Sequence, residues 1–289
     1  MFRKKDREFV LALGGGGARG LAHIGVLKVL QREGIKVKAL AGTSMGAVVG
    51  AMFAYYDDAI QVEELFRKFL SSKFHETFGR TFFLLSENPD TFMEPNKTIR
   101  RLGRGYVYLK AASSSAVFSR EILSDTLHCL LPDLHFSDLR LPFICVATDL
   151  VTGKEVVLRR GKVIPALVAS SCIPGIVEPV KIGSSLLVDG STTSTVPVTA
   201  ARAAFEGKLI AVDVTMELKR DNEPESAFEV AMRAGEITNF HHTQVLLSQA
   251  DFRIRPAVGR TNWANFDRLD EMIRAGELAA KKSILRLID

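Results

Sequence analysis

The sequence predicts an α/β fold in which helices pack on a mostly parallel sheet. Three observations carry this. Two strand, glycine-turn, helix units follow one another within residues 9–56, and parallel strands need crossovers of this kind. Further short apolar segments alternate with stretches of helical periodicity along the rest of the chain. The composition, 47% hydrophobic and 25% charged over 289 residues, is that of a globular protein able to bury a sizeable core, far from the signature of disorder. That length is compatible with one domain built around one sheet.

The elements follow in order. Residues 9–13 are an apolar run ending at Gly14, after which Leu21, Ile24, Val26, Leu27 and Leu30 recur at helical spacing until Gly34. Residues 37–42 form the second strand, and 44–56 are apolar and alanine-rich, as a buried helix is. From about 74 to 116 the rhythm is lost: Phe82, Phe83, Leu84 and Leu85 precede Arg100, Arg101 and Arg104, the composition of an inserted cap or flap. Order resumes with an amphipathic stretch at 120–131 and a strand at 142–148, which turns at Thr152 and Gly153 into 155–158. A helix at 163–171 and strands at 185–188 and 209–214 complete a domain spanning 9–215. Residues 216–289 read as a C-terminal helical extension packed on that domain, with helices at 225–250 and from 266 onward and a strand at 251–255 between them.

The net charge of +5 favours an anionic partner without separating nucleic acid from anionic lipid. Cys129, Cys145 and Cys172 are odd in number and lack metal or redox spacing, so they read as reduced core thiols. The basic start followed by apolar residues mimics a secretion signal, but the apolar run is too short and enters a glycine loop. No stretch approaches the length of a membrane span. The expectation is a cytoplasmic protein, soluble or peripheral to a membrane.

Two glycine-rich turns and one aspartate carry the chemistry. Gly42-Thr43-Ser44-Met45-Gly46 is a G-x-S-x-G between strand and helix, the setting of a nucleophile elbow. Flanking glycines admit the sharp turn, and the helix start favours negative charge beside the serine. The plainer reading is a turn whose Ser44 caps the helix. Gly14-Gly15-Gly16-Gly17-Ala18-Arg19-Gly20 is the other strand-to-helix loop. Its amides could form an oxyanion hole, while Gly15, Gly17 and Gly20 also satisfy the dinucleotide fingerprint. That fingerprint expects a carboxylate near the end of the second strand, where this chain has only Lys36 to Gly42 without one. Asp189 precedes Gly190 at a strand end, in isolation the position of a turn former.

Taken together, GGGGARG, GTSMG and the later Asp189-Gly190, in this order, resemble the patatin-like phospholipase family, especially its small bacterial members. Ala147-Thr148-Asp149-Leu150, Ala169-Ser170, Ile173-Pro174-Gly175, Pro179 and Pro197 extend the resemblance over residues 9–215. The resemblance implies a three-layer α/β/α acyl hydrolase architecture and a serine–aspartate dyad, here Ser44 and Asp189. It implies an oxyanion hole at Gly15, Gly16 and Gly17, with Arg19 in the family's basic position and Gly20, Gly42, Gly46 and Gly190 supporting. The chain departs from the family pattern at Ser191, usually glycine or alanine after the DG pair, and at Ser194, commonly asparagine.

The implied substrate is a lipid acyl ester, phospholipid or lysophospholipid, with no cofactor, no metal and no nucleic acid partner. The oligomeric state stays open. The apolar and basic residues of the insertion suit either contact with an anionic membrane surface or a solvated basic face. Other readings remain. A histidine triad would draw on His241 or His242, which follow Asp189 but lie in a helical pattern; the remaining histidines, His23 among them, read as surface or packing residues. Asp149 has the composition of a turn, and Cys172 lacks a basic neighbour. A regulatory or binding protein that keeps the fold without turnover is the alternative from another class.

Overall fold

A computed structural model of the chain describes residues 7–72, 116–218, 223–224, 227–259 and 261–288. The expected cap at about 74–116, including Phe82 to Leu85 and Arg100 and Arg101, lies outside the described residues except for Ala116.

The core is one sheet. β1 (Glu8–Leu13) lies between β2 (Lys36–Thr43) and β9 (Lys208–Val212), with β10 (Phe252–Ile254) beyond β9 and β4 (Phe143–Asp149) beyond β2, all five parallel. β8 (Ser185–Asp189) and β7 (Val180–Ile182) continue the sheet antiparallel, and β5 (Glu155–Leu158) also pairs antiparallel with β4. A small separate pair joins β3 (Ala116–Phe118) to β6 (Gly175–Val177).

Alternation along β1 shows why helices cover both faces. Phe9, Leu11 and Leu13 enter one apolar cluster, Val10 and Ala12 the other, and all are essentially inaccessible. The first cluster is filled by α1 (Ala22–Arg32), α2 (Met45–Tyr56), α3 (Ala59–Leu70), α5 (Val163–Ser171) and α8 (Leu269–Ile288), together with Leu127 of α4 (Glu121–His128). The second is filled by α6 (Val198–Ala204) and Leu247 at the end of α7 (Ala227–Leu247). The three-layer α/β/α expectation holds.

Sequence reading missed α3, although its signals are present. Asp58 caps it, accepting the N–H groups of Ile60 (2.8 Å) and Gln61 (3.2 Å), and Val62, Phe66 and Phe69 follow on one buried face. Cys129 is exposed, against the expectation of three core thiols, while Cys145 and Cys172 are buried. Residues 216–289 are not purely helical in their role, because β10 extends the central sheet.

Pairing along β4 determines how the two distant motifs meet. β2 and β5 both pair with Cys145 and Val146, so they occupy opposite edges of β4. β5 and β8 both pair with Ala147 and Thr148, so β8 must share the edge used by β2. β2 ends with Thr43 opposite Val146, and β8 ends with Asp189 opposite the next residue, Ala147. Two strands approaching from opposite directions thus terminate one register step apart.

Candidate active site

Ser44 follows β2 with φ 52° and ψ −124°, a conformation that costs a residue with a side chain about 1–3 kcal/mol. Close packing enforces it. A Cβ on Gly42 would stand 2.3 Å from the Ala47 Cα, and one on Gly46 would stand 2.2 Å from the Leu13 carbonyl oxygen. The Ser44 N–H donates to Ser170 Oγ (3.0 Å), whose hydroxyl donates to the Val146 carbonyl (2.7 Å). The Ser44 side chain makes no capping hydrogen bond, which removes the reading of this residue as a helix cap.

Asp189 is 2% exposed. Its carboxylate accepts the Ser191 N–H at 2.8 Å, and its own N–H donates to the Cys172 carbonyl at 2.8 Å. Burial raises its pKa, while the Ser191 N–H and the hydroxyls of Ser44 and Ser191 pull it back toward the charged form. The register step described above brings the chain at Ser44 beside Asp189, in keeping with the hydroxyl's pull on the carboxylate. Gly190 lets the following turn sit on β4, since a Cβ there would lie 2.4 Å from the Val146 carbonyl oxygen.

The glycine loop leaves β1 beside the elbow, Leu13 being paired with Gly42. A Cβ on Gly15 would approach the Ser44 Cβ to 3.3 Å. The Gly15 N–H is already engaged by the Thr195 carbonyl (2.8 Å), which corrects its assignment to the oxyanion hole. The amides of Gly16 and Gly17 make no hydrogen bond to an acceptor among the described residues and remain available. Met45, first residue of α2, adds another amide that no turn of helix precedes, in line with the expected help from the helix start. Arg19 Nε donates to the Gly16 carbonyl at 3.0 Å, so the N–H of the same planar trans peptide, that of Gly17, points the opposite way. Burial lowers the pKa of this guanidinium, opposed by the carboxylates of Glu236 and Asp213. Gly20 admits Met45, whose Cγ would lie 2.5 Å from a Cβ placed there.

The two departures from the family pattern help frame the site. Ser191 supplies the N–H held by Asp189, and Ser194 donates its N–H to the Gly190 carbonyl (2.7 Å) while its own carbonyl accepts Thr43 Oγ1 (2.8 Å). Asp149 serves its turn, accepting from the N–H groups of Val151 and Leu186 and from the Thr152 hydroxyl. His241 and His242 are exposed on α7, and neither hydrogen-bonds Ser44 or Asp189 among the described residues. Of the two readings for His23, surface or packing, the structure gives packing: it is fully buried, with Nε2 2.7 Å from the Gly14 carbonyl oxygen. Burial of Cys172 raises its thiol to about 12, the neighbouring Asp189 charge adding to the effect, so it is no ready nucleophile. Among the described residues no cluster of His, Cys, Asp or Glu could hold a metal ion, and no helix is long and apolar enough to cross a membrane.

A family model described as patatin-like phospholipase matches residues 11–202. An uncharacterized NTE family protein of Mycobacterium tuberculosis is 28% identical over 306 residues, covering 98% of this chain and 47% of that protein. The chain therefore spans about half the length of this and other curated relatives it matches. Lysophospholipase NTE1 of Mycosarcoma maydis is 27% identical over 205 residues, 71% of this chain and 9% of that protein. The crystal structure of VipD from Legionella pneumophila matches with a TM-score of 0.50 at 13% identity, covering 96% of this chain and 66% of that one, a likeness of fold.

Proposed function

The chain belongs to the patatin-like phospholipase family, and on that premise we propose that it is a serine acyl hydrolase cleaving acyl esters of phospholipid or lysophospholipid. The observation that carries the proposal is the strained Ser44 directly after β2, whose last residue lies one register step from the buried carboxylate ending β8. Asp189 takes the proton of the Ser44 hydroxyl as its oxygen attacks the ester carbonyl. The oxyanion that forms is held by the amides of Gly16, Gly17 and Met45, each such donor being worth about 3 kcal/mol in the transition state. Collapse expels the alcohol, which leaves with the proton from Asp189, and the acyl group stays on Ser44. Water, deprotonated by Asp189, then releases the fatty acid and restores the serine.

A carboxylate is a weak base toward an alcohol, and the upward pull of burial on Asp189 improves the match. The lipid substrate is supported by the family description and by the name of the fungal relative.

Ser44→Ala and Asp189→Asn should each lower turnover of a soluble ester roughly 10³-fold or more while the protein stays folded. A fluorophosphonate probe should label the wild-type chain and spare Ser44→Ala. Retained turnover in either variant sinks the dyad. An unlabelled wild-type Ser44 instead favours a regulator that keeps the fold without the chemistry.

We also propose a cytoplasmic protein making peripheral contact with anionic membrane through its basic insertion. The expected result is salt-sensitive binding to anionic vesicles, lost in Arg100→Glu/Arg101→Glu. No binding at low salt counts against it.

A further inference from the structure

The acyl-transfer reading leaves His23 without a task, yet this side chain is completely buried beneath the glycine loop. Its Nε2 faces the Gly14 carbonyl, which can only accept, so Nε2 carries the proton and Nδ1 is bare. Nδ1 has no hydrogen-bond partner among the described residues. A side chain needed only to fill this space would be better apolar, without an orphaned nitrogen. Among the described residues, what the imidazole supplies is its bond to the Gly14 carbonyl.

That bond sits at the root of the loop. The Gly14 carbonyl held by His23 belongs to the same planar peptide as the Gly15 N–H, which donates on the other side to the Thr195 carbonyl (2.8 Å). Gly14 is further tied through its own N–H to the Val212 carbonyl (3.0 Å). Thr195 in turn donates from Oγ1 to the Ser191 carbonyl (3.3 Å), within the turn that holds Asp189, and reaches Asn239 of α7 (2.6 Å). One peptide is thus clamped from both faces, immediately before the two unengaged amides and directly beside Ser44.

We infer that His23 is a positioning residue that fixes the first peptide of the glycine loop, so that the Gly16 and Gly17 amides meet the oxyanion formed at Ser44. The inference rests on the acyl-transfer reading. The pKa of the imidazole, lowered by burial to about 4, keeps it neutral near neutral pH and preserves this single donor.

The test compares His23→Leu, which keeps bulk and removes the donor, His23→Gln, whose amide can donate to the same carbonyl, and His23→Asn, too short to reach it. With a soluble short-chain ester, kcat should fall roughly 10- to 100-fold in the Leu and Asn variants, as misplacement by about 1 Å predicts. KM should stay within about twofold, and the Gln variant should recover most of the loss. Hydrogen exchange at the Gly15 amide, held by the Thr195 carbonyl, should quicken in the Leu and Asn variants and not in the Gln variant. Wild-type kcat in His23→Leu, or equal losses in all three variants, overturns the inference. If the wild-type chain hydrolyses no ester, the Ser44–Asp189 assignment fails separately; unchanged loop exchange in His23→Leu and His23→Asn then overturns the clamp as well.

Discussion

Asp189 is placed for chemistry at the expense of stability. Its pKa is raised by burial, so the native state binds this proton more tightly than the unfolded chain does. The stabilisation it contributes is present in full below the ordinary aspartate value near 4 and is lost as pH rises through its folded value. An ionised carboxylate here, which the proposed mechanism needs, is therefore a charge that the fold would rather neutralise. Asp189→Asn should melt at the same temperature as wild type or higher at pH 7, with turnover abolished, and the acid limb of wild-type kcat/KM should lie above the ordinary aspartate range. A lower melting temperature for the variant, or an acid limb at the ordinary value, contradicts the burial argument. Ser44 and Asp189 were singled out by the combined order of glycine loop, elbow and Asp-Gly pair, since Asp189 alone reads as a turn former. The engagement of Gly15 could not be, because its partner Thr195 lies far along the chain and contributes only a backbone carbonyl. The same holds for His23, whose role depends on the carbonyl above it.

Strands and helices near the N-terminus were legible because local signals agree with the tertiary outcome. The expected strand at 9–13 is β1, the strand at 37–42 is β2, and the alanine-rich stretch after Ser44 is α2. β7 was missed because Val180–Ile182 is only three residues long, and it gains strand character by pairing with β8. The elbow shows how much depends on close backbone approach. Gly46 separates α2 from β1 by less than a side chain would occupy, whereas Gly153 has φ +69° and open space around it. Gly46→Ala should therefore cost more than about 3 kcal/mol or prevent folding, by forcing atoms apart in the core. Gly153→Ala should cost only about 1–2 kcal/mol, the strain of a left-handed alanine. Urea midpoints compare them, and equal costs would mean that α2 can shift on the sheet.

The C-terminal part is continuous with the site. β10 pairs with β9, and α8 lies against α1 so closely that a Cβ on Gly276 would stand 1.9 Å from the Ala22 carbonyl oxygen. Residues 216–289 thus pack directly on elements of 9–215. These particular contacts were hidden from sequence reading because they join segments with no shared local pattern. Asn239 braces Thr195, and the Trp263 carbonyl accepts the Ala18 N–H (2.7 Å) within the first turn after the glycine loop. A Cβ on Gly17 would collide with that same carbonyl at 2.2 Å, so Trp263 forms the outer wall of the loop. It is also the single tryptophan in the chain. Ultraviolet emission from this protein therefore originates, apart from tyrosine, at one spot bordering the amides that would grip an intermediate. The native polypeptide thus carries its own optical probe, whose emission on mixing with an ester would test the proposed acylation of Ser44 without any attached dye.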